Sequence, residues 1–121
     1  MLQPTYTILY VDNPEASSRF YAAVLGATPI EAGAGFVLFA FDTGLKLGLW
    51  SRHAVIPAAG AAGGGSEVAV TVADDDALEA THAAWAKNGA PILQPPTDMD
   101  FGRTFVAVDP DGHRLRVFRP H

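Results

Sequence analysis

The chain contains no cysteine, which removes disulfides, thiolate metal ligands and thiol nucleophiles from any account of its stability or chemistry. It is also poor in charge. Only 17% of its 121 residues are charged, with 8 basic residues against 13 acidic ones and a net charge of −5. The basic residues are scattered, so no positive field exists for a phosphate backbone, and nucleic acid is not an expected partner. Apolar residues make up 49% of the chain, enough for one compact domain. No apolar run approaches the roughly 20 residues of a membrane-crossing helix. Met1-Leu2-Gln3-Pro4 lacks the charged and then apolar start of an export leader. The expectation is a soluble, cytoplasmic protein with no membrane partner.

Nucleophilic catalysis also lacks its parts. The four histidines, His53, His82, His113 and His121, fall on expected elements that do not converge. Ser17, Ser18, Ser51 and Ser66 lie at a helix start or in a connector, and no serine, histidine and acid set is legible. Asp109 and Asp111 resemble a catalytic acid pair, but acids at a tight turn more often accept local backbone hydrogen bonds.

What the chain does have is an internal repeat. Tyr6 to Val11 (YTILYV) and Glu67 to Val72 (EVAVTV) both alternate as strands, and each leads through a polar turn into a helix. In the first helix Asn13 is the cap, Pro14 fits the opening turn, Ala16, Phe20 and Val24 recur every four residues, and Gly26 stops it. In the second, Asp74 or Asp75 caps, Leu78, Thr81, His82 and Trp85 share a face, and Gly89 ends it. A short strand follows each helix, beginning Thr28-Pro29-Ile30 or Pro91-Ile92, with proline marking an edge or a strand start. Two closing hairpins complete the match. Residues 35–42 align with 102–109, and Leu47 to Trp50 align with Leu115 to Phe118 if the second turn, Asp109-Pro110-Asp111-Gly112, holds one extra residue. The organisation expected is a βαβββ module over residues 1–51, a flexible connector over 52–66, and a second module over 67–121. The connector's glycine-rich run lacks the lysine and following helix of a phosphate loop.

Strand alternation sorts the residues by face. Thr7, Leu9 and Val11 are read as supports for the first helix, leaving Tyr6, Ile8 and Tyr10 on the opposite face. Val68, Val70 and Val72 likewise leave Glu67, Ala69 and Thr71. Leu47, Leu49, Leu115 and Val117 support helices, so Gly48, Trp50, Arg116 and Phe118 face away from them.

The run Tyr10-Val-Asp-Asn-Pro-Glu-Ala-Ser-Ser-Arg-Phe-Tyr21 before Leu25-Gly26, with Asp109-Pro-Asp-Gly112 before a last strand, resembles the vicinal oxygen chelate superfamily of glyoxalase I, extradiol dioxygenases, and fosfomycin- and bleomycin-resistance proteins. The resemblance covers nearly the whole chain. It implies an α+β fold in which two βαβββ modules form a half-open barrel, the glyoxalase/bleomycin-resistance-like fold, often as a homodimer. The superfamily's metal enzymes carry His or Glu ligands on the first, fourth, fifth and eighth strands. The matching residues are Tyr6, Gly48, Glu67 and Arg116, of which only Glu67 is an ordinary ligand. A guanidinium has no lone pair to offer and repels a cation, so no metal and no other cofactor is expected.

The candidate site is therefore aromatic and polar: Tyr6, Tyr10, Trp50, Glu67, Arg116 and Phe118 as ligand-binding residues, with no catalytic set. Flat rings supply stacking area and a few charges orient a ligand. The alternatives are that Trp50 and Phe118 fill a core or a dimer contact, and that Glu67 and Arg116 are only an ion pair. The pattern is similar to nonmetal antibiotic-binding members, which implies sequestration of a planar aromatic ligand. The alternative reading is an enzyme of the superfamily, a lyase, isomerase or dioxygenase, and a third is a scaffold with a vestigial pocket.

Overall fold

Each half of the chain opens with a strand that feeds a well-capped helix. In the computed structural model, which describes residues 1–121, the Asn13 side chain accepts from the amides of Glu15 and Ala16 at 3.1 and 3.2 Å. Two donors that a helix start leaves without partners are satisfied in this way. Helix α1 then runs Pro14–Leu25 from strand β1, Tyr6–Val11, and ends at Gly26, whose φ of +63° suits glycine. Asp74 accepts from the Ala77 amide at 2.8 Å and starts α2, Asp75–Lys87, after strand β5, Glu67–Thr71. Gly89, at φ +84°, follows it.

The remaining strands are β2 (Glu31–Ala32), β3 (Phe36–Ala40), β4 (Lys46–Ser51), β6 (Ile92–Met99), β7 (Gly102–Val108) and β8 (Arg114–Pro120). They form two four-stranded sheets of the same design, ordered β1-β4-β3-β2 and β5-β8-β7-β6, in which the first strand of each pairs parallel to the last. A parallel pair needs a crossover, and the helix supplies it. The chain divides into two compact units on this plan, Met1–Ala61 and Ala62–His121. No helix is long and apolar enough to cross a membrane.

In each unit the helix covers one sheet face. Leu9, Val11, Leu47 and Leu49 are buried on that face in the first unit, as are Leu115 and Val117 in the second, following the strand alternation. In α2, Leu78 and Trp85 are buried as the helical spacing requires, and Trp85 stands edge-on to Phe105, with centroids 5.4 Å apart. The stripe expected on α1 is corrected. Its buried residues are Pro14, Ser17 and Tyr21, while Ala16, Phe20 and Val24 lie only half-buried beside them. A repeat of exactly four drifts around a helix of 3.6 residues per turn, whereas spacings of three and then four keep to one face.

A second correction concerns the hairpins. Ala40 pairs with Lys46 and Val108 with Arg114, so both loops, 41–45 and 109–113, have the same length and the second holds no extra residue. Their hydrogen bonds match atom for atom. The amide of Phe41 donates to the Leu45 carbonyl and that of Gly44 to Phe41, just as Asp109 donates to His113 and Gly112 to Asp109. The counterpart of Phe36 is therefore Thr104, since both pair with matching residues, Trp50 and Phe118. The short strand after α1 is also trimmed to Glu31–Ala32, whereas β6 is long and bulged around Pro95 and Pro96, which cannot donate to the ladder.

The connector is not loose along its whole length. The Arg52 amide donates to the Val11 carbonyl at 2.8 Å, Val55 is buried, and a side chain on Gly63 would meet the His113 amide at 2.5 Å.

Gly102 makes the closest approach of any glycine to another backbone segment. Gly102 has φ +145°, and a β-carbon there would lie 2.0 Å from the Arg119 carbonyl oxygen, whereas one on Gly112, at φ +81°, would meet open space. Gly102→Ala is expected to cost more than about 2 kcal/mol and Gly112→Ala about 1 kcal/mol. Urea unfolding of both variants measures the difference, and equal costs would contradict the close approach.

Candidate functional site

The face turned away from α1 is built around a glycine. Gly48 is buried at the middle of β4, and a β-carbon on it would stand 2.9 and 3.0 Å from ring carbons of Phe36 on β3. The Phe36 ring thus rests over the bare backbone of Gly48. Next along β4, Trp50 meets Phe36 edge-on from one side and Tyr10 of β1 from the other, each with centroids 6.4 Å apart. Such edge-to-face pairs are favoured by the ring quadrupole. Trp50 is half-buried and Tyr10, Ile8 and Tyr6 are 40–50% exposed. At the far end Lys46 places its ammonium 5.3 Å from the Tyr6 ring centroid, a cation–π contact.

The equivalent face of the second unit is built around an arginine. Arg116, at the Gly48 position, donates from Nε and Nη2 to the two carboxylate oxygens of Glu67 at 2.8 and 2.9 Å. Its Nη1 donates to Thr104 Oγ1 at 3.1 Å and Gln94 Oε1 at 3.3 Å. Thr104 is fully buried and its hydroxyl donates a hydrogen bond to the Val117 carbonyl at 2.9 Å. Phe101, in the turn between β6 and β7, lies 5.7 Å from the guanidinium and edge-on to Phe118 at 5.6 Å. The hydrogen bonds from Arg116 hold the Glu67 carboxyl below its ordinary value of 4.5 against the opposing effect of burial. The same contact raises the pKa of Arg116, so both groups favour the charged pair.

Tyr6, Tyr10 and Trp50 thus share the first unit's open face, while Glu67, Arg116 and Phe118 share the second's. Phe36, Phe101, Thr104 and Gln94 are contacts that the sequence did not point to. Phe36 was hidden by the hairpin alignment, which set it against Arg103, and Phe101 sits in a turn where no periodicity marks a face. The other polar candidates serve local structure. Asp109, almost fully buried, accepts from the amides of Asp111 and His113, both at 2.8 Å. His53 pairs with Asp12 at 2.7 Å on an exposed surface, and His82 packs on Phe105.

These residues do not fit the metal of the glyoxalase type. Both Glu67 oxygens are engaged by a permanent cation, and nowhere do three or more His, Cys, Asp or Glu side chains gather as a metal ion requires.

The repeated units and their sequence place the protein in a known class: residues 3–117 match the Glyoxalase/Bleomycin resistance protein/Dioxygenase superfamily, to which the chain belongs. Among its relatives is the phenazine antibiotic resistance protein EhpR of Enterobacter agglomerans, 29% identical over 124 residues, with 96% of this chain and 91% of that protein covered. A protein of Agrobacterium tumefaciens solved by NMR is 51% identical, with a TM-score of 0.92 over 100% of this chain and 99% of that one. A glyoxalase-related enzyme from Fulvimarina pelagi, at 21% identity, shares the fold, with a TM-score of 0.88 over 98% and 88% of the two chains.

Two measurements follow. Glu67 has a depressed pKa when folded, so its pairing stabilises the protein above pH 4.5, and this contribution is lost as pH falls through the lower folded value. With Glu67 one-third exposed, Glu67→Gln should cost about 1 kcal/mol at pH 7, and its deficit in urea unfolding should shrink below pH 4.5. A deficit unchanged at pH 3 would refute the pairing. Zinc, nickel, manganese or iron added to the chelated protein should leave the melting temperature unchanged, because only an ion held by the folded state raises it.

Proposed function

We propose that the protein binds and sequesters a planar aromatic, antibiotic-like small molecule without a metal. The observation that carries this reading is the half-buried Trp50, held edge-on between Phe36 and Tyr10 beside a glycine that keeps the sheet surface low. Rings fixed in this way offer stacking area at little entropic cost. The relationship to a phenazine antibiotic resistance protein supports the same ligand class, since phenazine is a flat tricyclic ring. A metal-assisted lyase or dioxygenase reaction is disfavoured by the commitment of Glu67 to Arg116.

The two tryptophans make the reading testable by fluorescence. Trp50 is on the face away from α1, whereas Trp85 belongs to α2 and is buried against Phe105. Stacking contributes about 0.5–1.5 kcal/mol beyond burial, and a central aromatic anchor contributes more. Trp50→Ala should therefore weaken phenazine binding by about tenfold or more, which is about 1.4 kcal/mol. Trp85→Phe should leave affinity nearly unchanged and remove only the fluorescence that does not respond. Affinity that ignores Trp50 but requires an added metal would replace this reading with the enzyme one.

A further inference from the structure

One register position is filled differently in the two units. In the first, the cross-strand neighbours of Trp50 on β4 are Tyr10 of β1 and Phe36 of β3. In the second, those of Phe118 on β8 are Thr71 of β5 and Thr104 of β7. Both units follow the same strand order, so that plan does not require three aromatic rings side by side. The trio of the first unit is an addition to the fold.

Phe36 is the fixed member of the trio. Its backbone lies opposite Trp50, but its ring leans diagonally over Gly48, with two ring carbons 2.9 and 3.0 Å from where a β-carbon would stand. Ile8 closes the other side, its Cγ1 3.5 Å from the same point. Only a residue without a side chain leaves the ring that place. Tyr10 is the looser neighbour, 40% exposed and on the strand that ends the sheet. Trp50 is itself half-buried, so close packing does not fix its two side-chain torsions from every side. The Phe36 ring, at 86° to the indole, is the contact that limits them.

Resting on the planar-ligand reading, we propose that Phe36 is a positioning residue for Trp50 and that Gly48 is its seat. Phe36 acts through the indole. It restricts Trp50 to the orientation that a planar ligand meets, so binding does not bear the full cost of ordering that side chain. A side chain on residue 48 would lift the Phe36 ring and release the indole.

The test uses Trp85→Phe protein, in which Trp50 is the one tryptophan left. Two readouts are taken: the indole bands in near-ultraviolet circular dichroism, which report fixed side-chain packing, and the dissociation constant of phenazine by NMR titration. Phe36→Leu keeps an apolar side chain beside Gly48 but removes the ring. It should flatten the indole bands and weaken phenazine about fivefold, with the far-ultraviolet spectrum unchanged. Added to Trp50→Ala, the same change should have no further effect on affinity, because no indole is left to position. Gly48→Ala should lower the bands, the affinity and the urea midpoint together. Combining it with Phe36→Leu makes room for the new methyl group, so the midpoint should recover while the affinity stays low. If Gly48→Ala does not fold, Phe36→Leu alone carries the test.

Unchanged indole bands or unchanged affinity in Phe36→Leu overturns the positioning role and leaves the planar-ligand reading in place. So does an affinity restored in the Gly48→Ala/Phe36→Leu protein. A loss that persists on Trp50→Ala overturns it as well, because Phe36 would then touch the ligand itself. If phenazine does not bind the unmodified protein, or binds Trp50→Ala equally well, the planar-ligand reading fails and the positioning role fails with it.

Discussion

Each sheet has two faces and one helix, and every other feature depends on that shortage of cover. Because side chains alternate along a strand, committing Leu9, Val11, Leu47 and Leu49 to the helix commits Ile8, Tyr10, Gly48 and Trp50 to the other side. A one-residue slip would exchange these sets and expose the apolar core, so register is under strong control. The parallel β1–β4 and β5–β8 pairs sit at the point where that control acts. The site residues are thereby oriented by the same burial that stabilises the fold.

Within this frame the two units diverge at one register position. In the first, Gly48 has no side chain, and the neighbouring strand fills the space with Phe36. In the second, Arg116 stands at that register position, and the neighbouring strand offers the small hydroxyl of Thr104 as an acceptor. Volume and polarity change together. A phenyl ring in place of Thr104 would leave an Arg116 donor without its acceptor, and an arginine in place of Gly48 would collide with Phe36. The repeated unit thus carries two different faces, one of stacked rings and the other of a paired cation.

The paired cation also accounts for how a part-buried carboxylate is held at Glu67. Taking a lone carboxylate partly out of water is costly, and the bidentate contact from Arg116 offsets that cost by direct hydrogen bonding. Thr104 and Gln94 in turn hold the guanidinium. No buried side-chain nitrogen or oxygen in the chain lacks a hydrogen-bond partner.

Local signals were legible because they act within a few residues. The cap Asn13, a second cap at Asp74 or Asp75, the stop glycines, the period-two strands and the faces of Trp50, Glu67 and Arg116 all follow from steric preference, hydrogen-bond reach and alternation along one element. Relations between elements were not. The absence of an extra residue in the second hairpin, the packing of the Phe36 ring on Gly48, the buried stripe through Ser17 and Tyr21, and the return of Phe101 over Arg116 depend on which strands lie side by side and on how closely two backbones approach. Sequence by itself determined the modules and which face each strand residue takes, since periodicity is a property of one chain segment. Only the tertiary structure decided which residues touch across that face, because cross-strand register is set by loop length and close packing, such as the contact of Gly102 with β8, and neither leaves a periodic trace.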